Sequence, residues 1–173
     1  MNIYSDLAKS TVEEYLIKQN IPVVKKLPEE LTKQKAGCFV SIHLKNNHEL
    51  RGCIGTIIPV YKNLGGEIIA NAIEAAFRDP RFEPITKPEL DNLEYSVDVL
   101  SQPEAIKTEK ELDPHKYGVI VKSMDGFRTG LLLPDLEGVQ TVKQQVDIAR
   151  EKAGIEPDEE IQLFRFSSTR HED

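Results

Sequence analysis

Two stretches of this chain echo each other. Gly37-Cys38-Phe39-Val40 is matched by Gly118-Val119-Ile120-Val121, and Arg51-Gly52-Cys53-Ile54-Gly55 by Arg128-Thr129-Gly130-Leu131-Leu132. The same order of elements surrounds each pair. Cys38, Val40, Ile42 and Leu44 alternate with Phe39, Ser41 and His43, the period of a strand with one buried face. Asn46-Asn47 offers the positive φ that a tight hairpin turn requires, and a return strand spans about Glu49 to Ile57. A helix follows, with Leu64, Ile68, Ala72 and Ala76 in one row beside Ile69 and Ile73. Glu67, Asn71, Glu74 and Arg78 fall on its opposite, polar face, and Pro80 stops it. The strand Leu93 to Leu100 sets Leu93, Tyr95, Val97 and Val99 on one face and Glu94, Ser96 and Asp98 on a solvated one.

The second half repeats this order. Tyr117–Met124 and Phe127–Leu133 read as strands joined at Asp125-Gly126. Thr141 and Gln144 form a capping box for a helix lined by Val142, Val146, Ala149 and Ala153, and Gly154 suits its end. Ile161 to Phe166 closes the repeat. An amphipathic helix with Tyr4, Leu7, Ala8, Val12, Tyr15 and Leu16 precedes everything and ends at Asn20 and Pro22. The expected fold class is therefore α+β: antiparallel sheets with helices, in two interlocked hairpin–helix–strand halves produced by internal duplication. Residues 1–173 make one domain with sub-modules of about 1–101 and 115–173, and charged Ser101 to Pro114 connects them.

At 173 residues the chain can bury a core without staples. Its net charge of −7 and its lack of a dense Lys/Arg stripe argue against nucleic-acid partners. No apolar run reaches bilayer length and no signal peptide is apparent, so a cytoplasmic, non-membrane protein is expected. Cys38 and Cys53 suit reduced thiols in that compartment. His43, His48, His115 and His171 show no metal-ligand spacing, and neither a metal nor a cofactor is expected.

Chemistry concentrates in Leu50-Arg51-Gly52-Cys53-Ile54-Gly55-Thr56. Glycine inside a strand marks a bulge or a close approach. Arg51 near Cys53 would favour the thiolate. Two readings fit: Cys53 is a reactive or ligand-contacting thiol with Arg51 holding an anion, or it is a small buried residue whose glycines relieve packing against the next helix. Hairpin register separates them. One register sets Cys53 opposite Val40 and Arg51 opposite Ile42. A slip of one residue sets Cys53 opposite Ser41 and Arg51 opposite His43, which makes a polar site. Arg78-Asp79-Pro80-Arg81-Phe82-Glu83-Pro84 supplies a second candidate, either an anion clamp with Asp79 orienting an arginine or a tied loop with Phe82 plugging the core. At least one of Arg51 and Arg81 is expected to be free for a carboxylate or phosphate of an anionic small molecule or peptide.

The motif at 50–56, then Ala75-Ala76-Phe77-Arg78-Asp79-Pro80-Arg81-Phe82, Tyr95 to Ser101, Leu131-Leu132-Leu133-Pro134 and Lys152-Ala153-Gly154 resemble the AMMECR domain family. Pro134 to Val139 and Ala149-Arg150 are most similar to its prokaryotic branch, that of the AmmeMemoRadiSam system. The resemblance covers the chain beyond the first helix. It implies two interlocked α+β halves and an association with a Memo-like protein and a radical SAM enzyme. It also weighs toward a functional surface at the motif, with Cys53 and Arg51 at its centre. Leu50, Gly52, Ile54, Gly55, Thr56, Arg78, Asp79 and Arg81 are the accompanying ligand- or partner-binding residues. His115 departs from the pattern, standing two residues before Tyr117-Gly118 where many relatives place histidine directly before the glycine. The implied function is that of a binding, adaptor or accessory protein in a redox or modification pathway. The alternative is an enzyme using Cys53 as a reactive thiol with Arg51.

Overall fold

The computed structural model describes residues 2–18 and 26–172. In order, its elements are α1 (Ile3–Lys18), α2 (Glu29–Lys33), β1 (Cys38–Leu44), β2 (Leu50–Thr56), α3 (Leu64–Phe77), β3 (Leu93–Leu100), β4 (Glu104–Ile106), β5 (Gly118–Ser123), β6 (Thr129–Leu132), α4 (Val142–Ala153), β7 (Ile161–Phe166) and β8 (Ser168–Glu172). Short 3₁₀ helices occupy Lys87–Asn92 and Glu109–Glu111. The expected stop of α1 at Asn20 and Pro22 lies outside the described residues.

Two four-stranded sheets result, ordered β2-β1-β3-β8 and β4-β7-β5-β6. Both expected hairpins are antiparallel, as are the pairings of β1 with β3, β5 with β7 and β4 with β7. The duplication is visible in the topology: β1 lies between β2 and β3 as β5 lies between β6 and β7. β4 follows β3 in sequence but joins the second sheet, and β8 follows β7 but joins the first. The chain divides into two compact units, Met1–Leu100 with Thr169–Asp173, and Ser101–Ser168.

In the first unit α1 and α3 cover one face of the sheet. Cys38, Val40, Ile42, Leu93, Tyr95 and Val97 meet Leu7, Ala8, Val12, Ile68, Ala72 and Ile73 there, all 8% exposed or less. In the second, Val119, Val121 and Leu132 meet Val146 and Ala149. The caps follow the sequence. Thr141 and Gln144 form the capping box of α4, and Gly154 ends it in the left-handed region at φ 65°. Asn63 caps α3 by accepting from Gly66 N–H at 3.0 Å, and Arg78 pairs with Glu74 at 2.6 Å.

Two expectations about α3 and the first hairpin need correction. Glu67 and Asn71 do not face solvent; they are 0% and 3% exposed. The cause is the return of the chain after β2. The Glu67 carboxylate accepts from Thr56 Oγ1 at 2.5 Å, from Tyr61 N–H at 2.8 Å and from Val60 N–H at 3.1 Å, so it replaces the backbone partners that this loop lacks. The Asn71 amide donates to Cys38 O at 3.0 Å and Thr56 Oγ1 at 3.3 Å. The turn, meanwhile, is not a two-residue Asn46-Asn47 turn. Leu44 N–H donates to Glu49 O at 2.9 Å, and His48 N–H to Leu44 O at 2.8 Å, so Lys45 to His48 form a four-residue connection. The positive φ, 57°, falls on His48. Histidine, like asparagine, tolerates that region better than most residues.

Candidate functional site

The longer turn leaves the strand ends paired as a two-residue turn would, with Leu44 beside Glu49, and the register changes only at Arg51. Ile42 faces Gly52, whereas His43 faces Leu50, so Arg51 is the extra residue of a β-bulge. The bulge restores the polar register beyond it, with Cys53 opposite Ser41. Arg51 itself is not set opposite His43. Its side chain, 14% exposed, bonds Glu89 of the first 3₁₀ helix at 2.8 Å. Leu50 stands exposed at the start of the strand.

Beyond the bulge the motif alternates. Gly52, Ile54 and Thr56 face α3. A Cβ on Gly52 would stand 2.2 Å from the backbone oxygen of Ala75, so only glycine admits the helix this close. Ile54 packs on the core and Thr56 bonds Glu67. Cys53 and Gly55 face the other side, where Gly55 lies against the ring of Phe39.

That side carries a polar row. Cys53 is half-buried, and its Sγ accepts the Ser41 hydroxyl at 3.3 Å. Ser41 in turn faces Ser96 on β3. On one flank Phe39 faces Asp98, and on the other His43 faces Glu94. Asp98 receives Arg170 of β8 through both Nε at 3.1 Å and Nη2 at 3.0 Å. Burial holds the half-buried His43 imidazole below its ordinary pKa, so it is uncharged at neutral pH. Cys38 is a different thiol. It lies fully buried on the core face, and burial pushes its pKa up to about 12 against the opposing Asn71 hydrogen bond.

β2 is an edge strand, and the Cys53 backbone points its N–H and C=O outward. Asp79 and Arg81 close that edge. Cys53 N–H donates to Asp79 Oδ2 at 2.9 Å, and Arg81 Nη2 donates to Cys53 O at 3.1 Å. Arg81 also grips Asp79 through Nε at 2.9 Å and Nη2 at 2.7 Å. This pair is a side-chain substitute for a neighbouring strand, and it blunts an edge that could otherwise pair with another chain. Phe82 does not plug the core: it is half-exposed under the Arg81 guanidinium, and Ile85, 2% exposed, fills that place.

Every arginine singled out as an anion holder is thus met by a carboxylate: Arg51 by Glu89, Arg78 by Glu74 and Arg81 by Asp79. The motif and the Arg78–Arg81 loop do come together, with Cys53 as their junction. The Glu94-Ser96-Asp98 face is not fully solvated either, since Ser96 and Asp98 are only 6% and 4% exposed. Sequence reasoning left Ser41, His43, Ser96 and Arg170 outside the site. The first three had a signal, because both central strands place polar residues at alternate positions. Arg170 had none, because nothing local sets β8 beside β3. Among the described residues, no three His, Cys, Asp or Glu side chains gather as a metal would need.

Residues 5–171 match the AMMECR1 family model. The chain belongs to the AMMECR1 family. A Thermotoga maritima relative is 53% identical over 146 residues, which cover 84% of this chain and 82% of that protein. Protein CA_C1420 of Clostridium acetobutylicum is 47% identical over 98% of this chain, but the chain spans only 36% of that relative's length. The crystal structure of uncharacterized protein PH0010 from Pyrococcus horikoshii superposes with a TM-score of 0.89 at 32% identity, over 99% of this chain and 90% of that one. The AMMECR1 fold therefore accounts for both units. No helix among the described residues is long and apolar enough to cross a membrane.

Proposed function

We propose that this AMMECR1-family chain is a cytoplasmic binding or accessory protein that presents the Leu50–Thr56 strand to a protein partner. The pathway is the one the family resemblance implies, containing a Memo-like protein and a radical SAM enzyme. The observation that carries the reading is the full engagement of Arg51, Arg78 and Arg81 by carboxylates around a rigidly framed strand. Such a frame holds a surface in shape and leaves no uncommitted guanidinium to bind an anionic substrate. The Clostridium relative supports it, since a homologous segment there shares one chain with a longer remainder. Beyond Thr56, Ile58, Val60 and Tyr61 are 65%, 76% and 49% exposed on the loop that Glu67 anchors, and they suit a partner contact. Calorimetric titration against the purified Memo-like and radical SAM proteins of the same genome tests this. Binding that is weakened at least about tenfold by Val60→Ser or Cys53→Ser is expected. Failure of both proteins to bind at about 100 μM, where even weak complexes register, would overturn it.

One observation favours the enzyme reading as a second: the Cys53 thiol is accessible, receives the Ser41 hydroxyl and shares its face with an uncharged His43. Native iodoacetamide treatment should therefore modify Cys53 and spare Cys38 until unfolding. Equal protection of both thiols in the native state would remove the reactive-thiol reading.

A further inference from the structure

The loop after β2 combines two arrangements that stability alone disfavours. Ile58, Val60 and Tyr61 hold large apolar side chains out in solvent, where each forgoes the gain of burial. Beneath them Glu67 is fully buried, and no cation pairs with it among the described residues. A buried carboxylate without a counter-ion is costly, and an apolar residue of similar volume would serve the core at least as well.

The two arrangements are joined by hydrogen bonds. Val60 and Tyr61, consecutive in the chain, both donate their N–H to the Glu67 carboxylate. Consecutive amides aimed at one acceptor fix the backbone between them. The start of the loop is drawn tight as well, since a Cβ on Gly37 would stand 2.4 Å from both Thr56 O and Ile57 O. The backbone therefore faces the protein while the apolar side chains face solvent. The strand reaches the same carboxylate. Thr56, the last residue of β2, donates its hydroxyl to Glu67 and accepts the Asn71 amide. Glu67 thus ties the end of the Leu50–Thr56 strand to the apolar loop. A loop fastened for stability alone would turn Ile58 and Val60 inward. This one is fastened in the opposite sense, by the most expensive kind of group to bury.

We propose that Glu67 is a positioning residue of the partner surface. It touches no partner itself; it holds Ile58, Val60 and Tyr61 outward, preorganised to enter an apolar cleft on a protein. The inference rests on the docking reading above and adds the group that shapes the docking loop.

Amide hydrogen exchange tests the fastening without a partner. In the wild type the Val60 and Tyr61 amides should exchange at least about tenfold slower than in an unstructured peptide, the effect of one charge-assisted hydrogen bond. Glu67→Met fills the volume but accepts nothing, so both amides should approach the unstructured rate while those of β1 stay protected. Glu67→Gln can turn its oxygen to the loop amides and its NH₂ to Thr56, so it should keep most of the protection. Calorimetric titration against the Memo-like and radical SAM proteins then reads the consequence. Glu67→Met should weaken binding about tenfold or more, and Glu67→Gln less than about threefold. Far-ultraviolet circular dichroism and continued protection of Cys38 identify variants that remain folded. If Glu67→Met does not fold, the wild-type and Glu67→Gln exchange rates decide. Unprotected Val60 and Tyr61 amides in the wild type, wild-type protection in Glu67→Met, or loss of that protection in Glu67→Gln would each overturn the proposal. So would unchanged partner affinity in a folded Glu67→Met whose loop has loosened. Failure of both proteins to bind the wild type would overturn the docking reading alone, and the exchange rates would still decide whether Glu67 fastens the loop.

Discussion

Gly52→Ala should destabilise the first unit by about 3 kcal/mol, at the upper end of the usual cost of overpacking. Gly130→Ala should do the same to the second. The two glycines hold one job in the two repeats. Gly52 lies in β2 beneath α3, where an added Cβ would stand 2.2 Å from Ala75 O; Gly130 lies in β6 beneath α4, where it would stand 1.9 Å from Ala149 O. The opposing atom in each case is a helix carbonyl and not the end of a flexible side chain. Relief therefore requires the helix to withdraw from the sheet, and withdrawal loosens the layer that buries Ile68 and Ala72, or Val146. For a chain of this size the loss corresponds to a fall of roughly 6–12 °C in the unfolding midpoint. Thermal and urea unfolding followed by circular dichroism provide the measurement. A loss below about 0.5 kcal/mol, typical of an ordinary surface change, would mean that the helices slide freely and that the close approach is incidental.

The same pair shows how far the sequence could be read. The duplication, the antiparallel pairings and the caps of α4 are local signals, written in periods of two and 3.6 and in capping residues. Written letter for letter, however, the echo aligns Gly130 with Cys53, while the close approach to the following helix matches it with Gly52. The one-residue offset accompanies the bulge at Arg51, which no turn residue announces, because the four-residue turn keeps the pairing that a two-residue Asn46-Asn47 turn would give. The register that makes Cys53 polar was one of two open possibilities. No propensity chooses between them, because both preserve the strand period. Glu67 and Asn71 sit at helical positions that look solvent-facing until the loop after β2 folds over them. Arg170 is 72 residues from Asp98. Long-range partners of this kind carry no local pattern, so the motif could be located in the sequence while most of its surroundings could not.

Asp79→Ala should produce the second large effect, a loss of about 3 kcal/mol together with faster alkylation of Cys53. The carboxylate is almost fully buried, its side chain 1% exposed, and it serves three groups at once. It accepts Cys53 N–H on the open edge of β2, Arg81 N–H at 3.1 Å, and the Arg81 guanidinium. Removing it leaves an edge amide without a partner and an arginine without a counter-ion. Such orphaning costs more than the hydrogen bonds contribute when intact. Arg81 is 54% exposed, so water recovers part of its share, which keeps the expected figure below that of a deeply buried pair. With the edge unpinned, the segment carrying Cys53 opens more often and its thiol is presented to reagent, while Cys38 stays protected in the core. The pH dependence supplies an independent check. The Arg81 hydrogen bonds hold the Asp79 carboxyl well below its ordinary value of 3.8, with burial opposing and the Cys53 and Arg81 backbone donors assisting. A carboxyl depressed on folding contributes stability that is complete above about pH 4, its unfolded pKa, and is lost as pH falls toward the folded value. Wild type should therefore lose stability steeply from pH 4 downward, and Asp79→Ala should lack that part of the slope. Identical slopes in the two proteins would show that the carboxylate is not the group fastening the edge. An unchanged Cys53 alkylation rate in a destabilised Asp79→Ala would separate the fastening of the strand from the accessibility of its thiol.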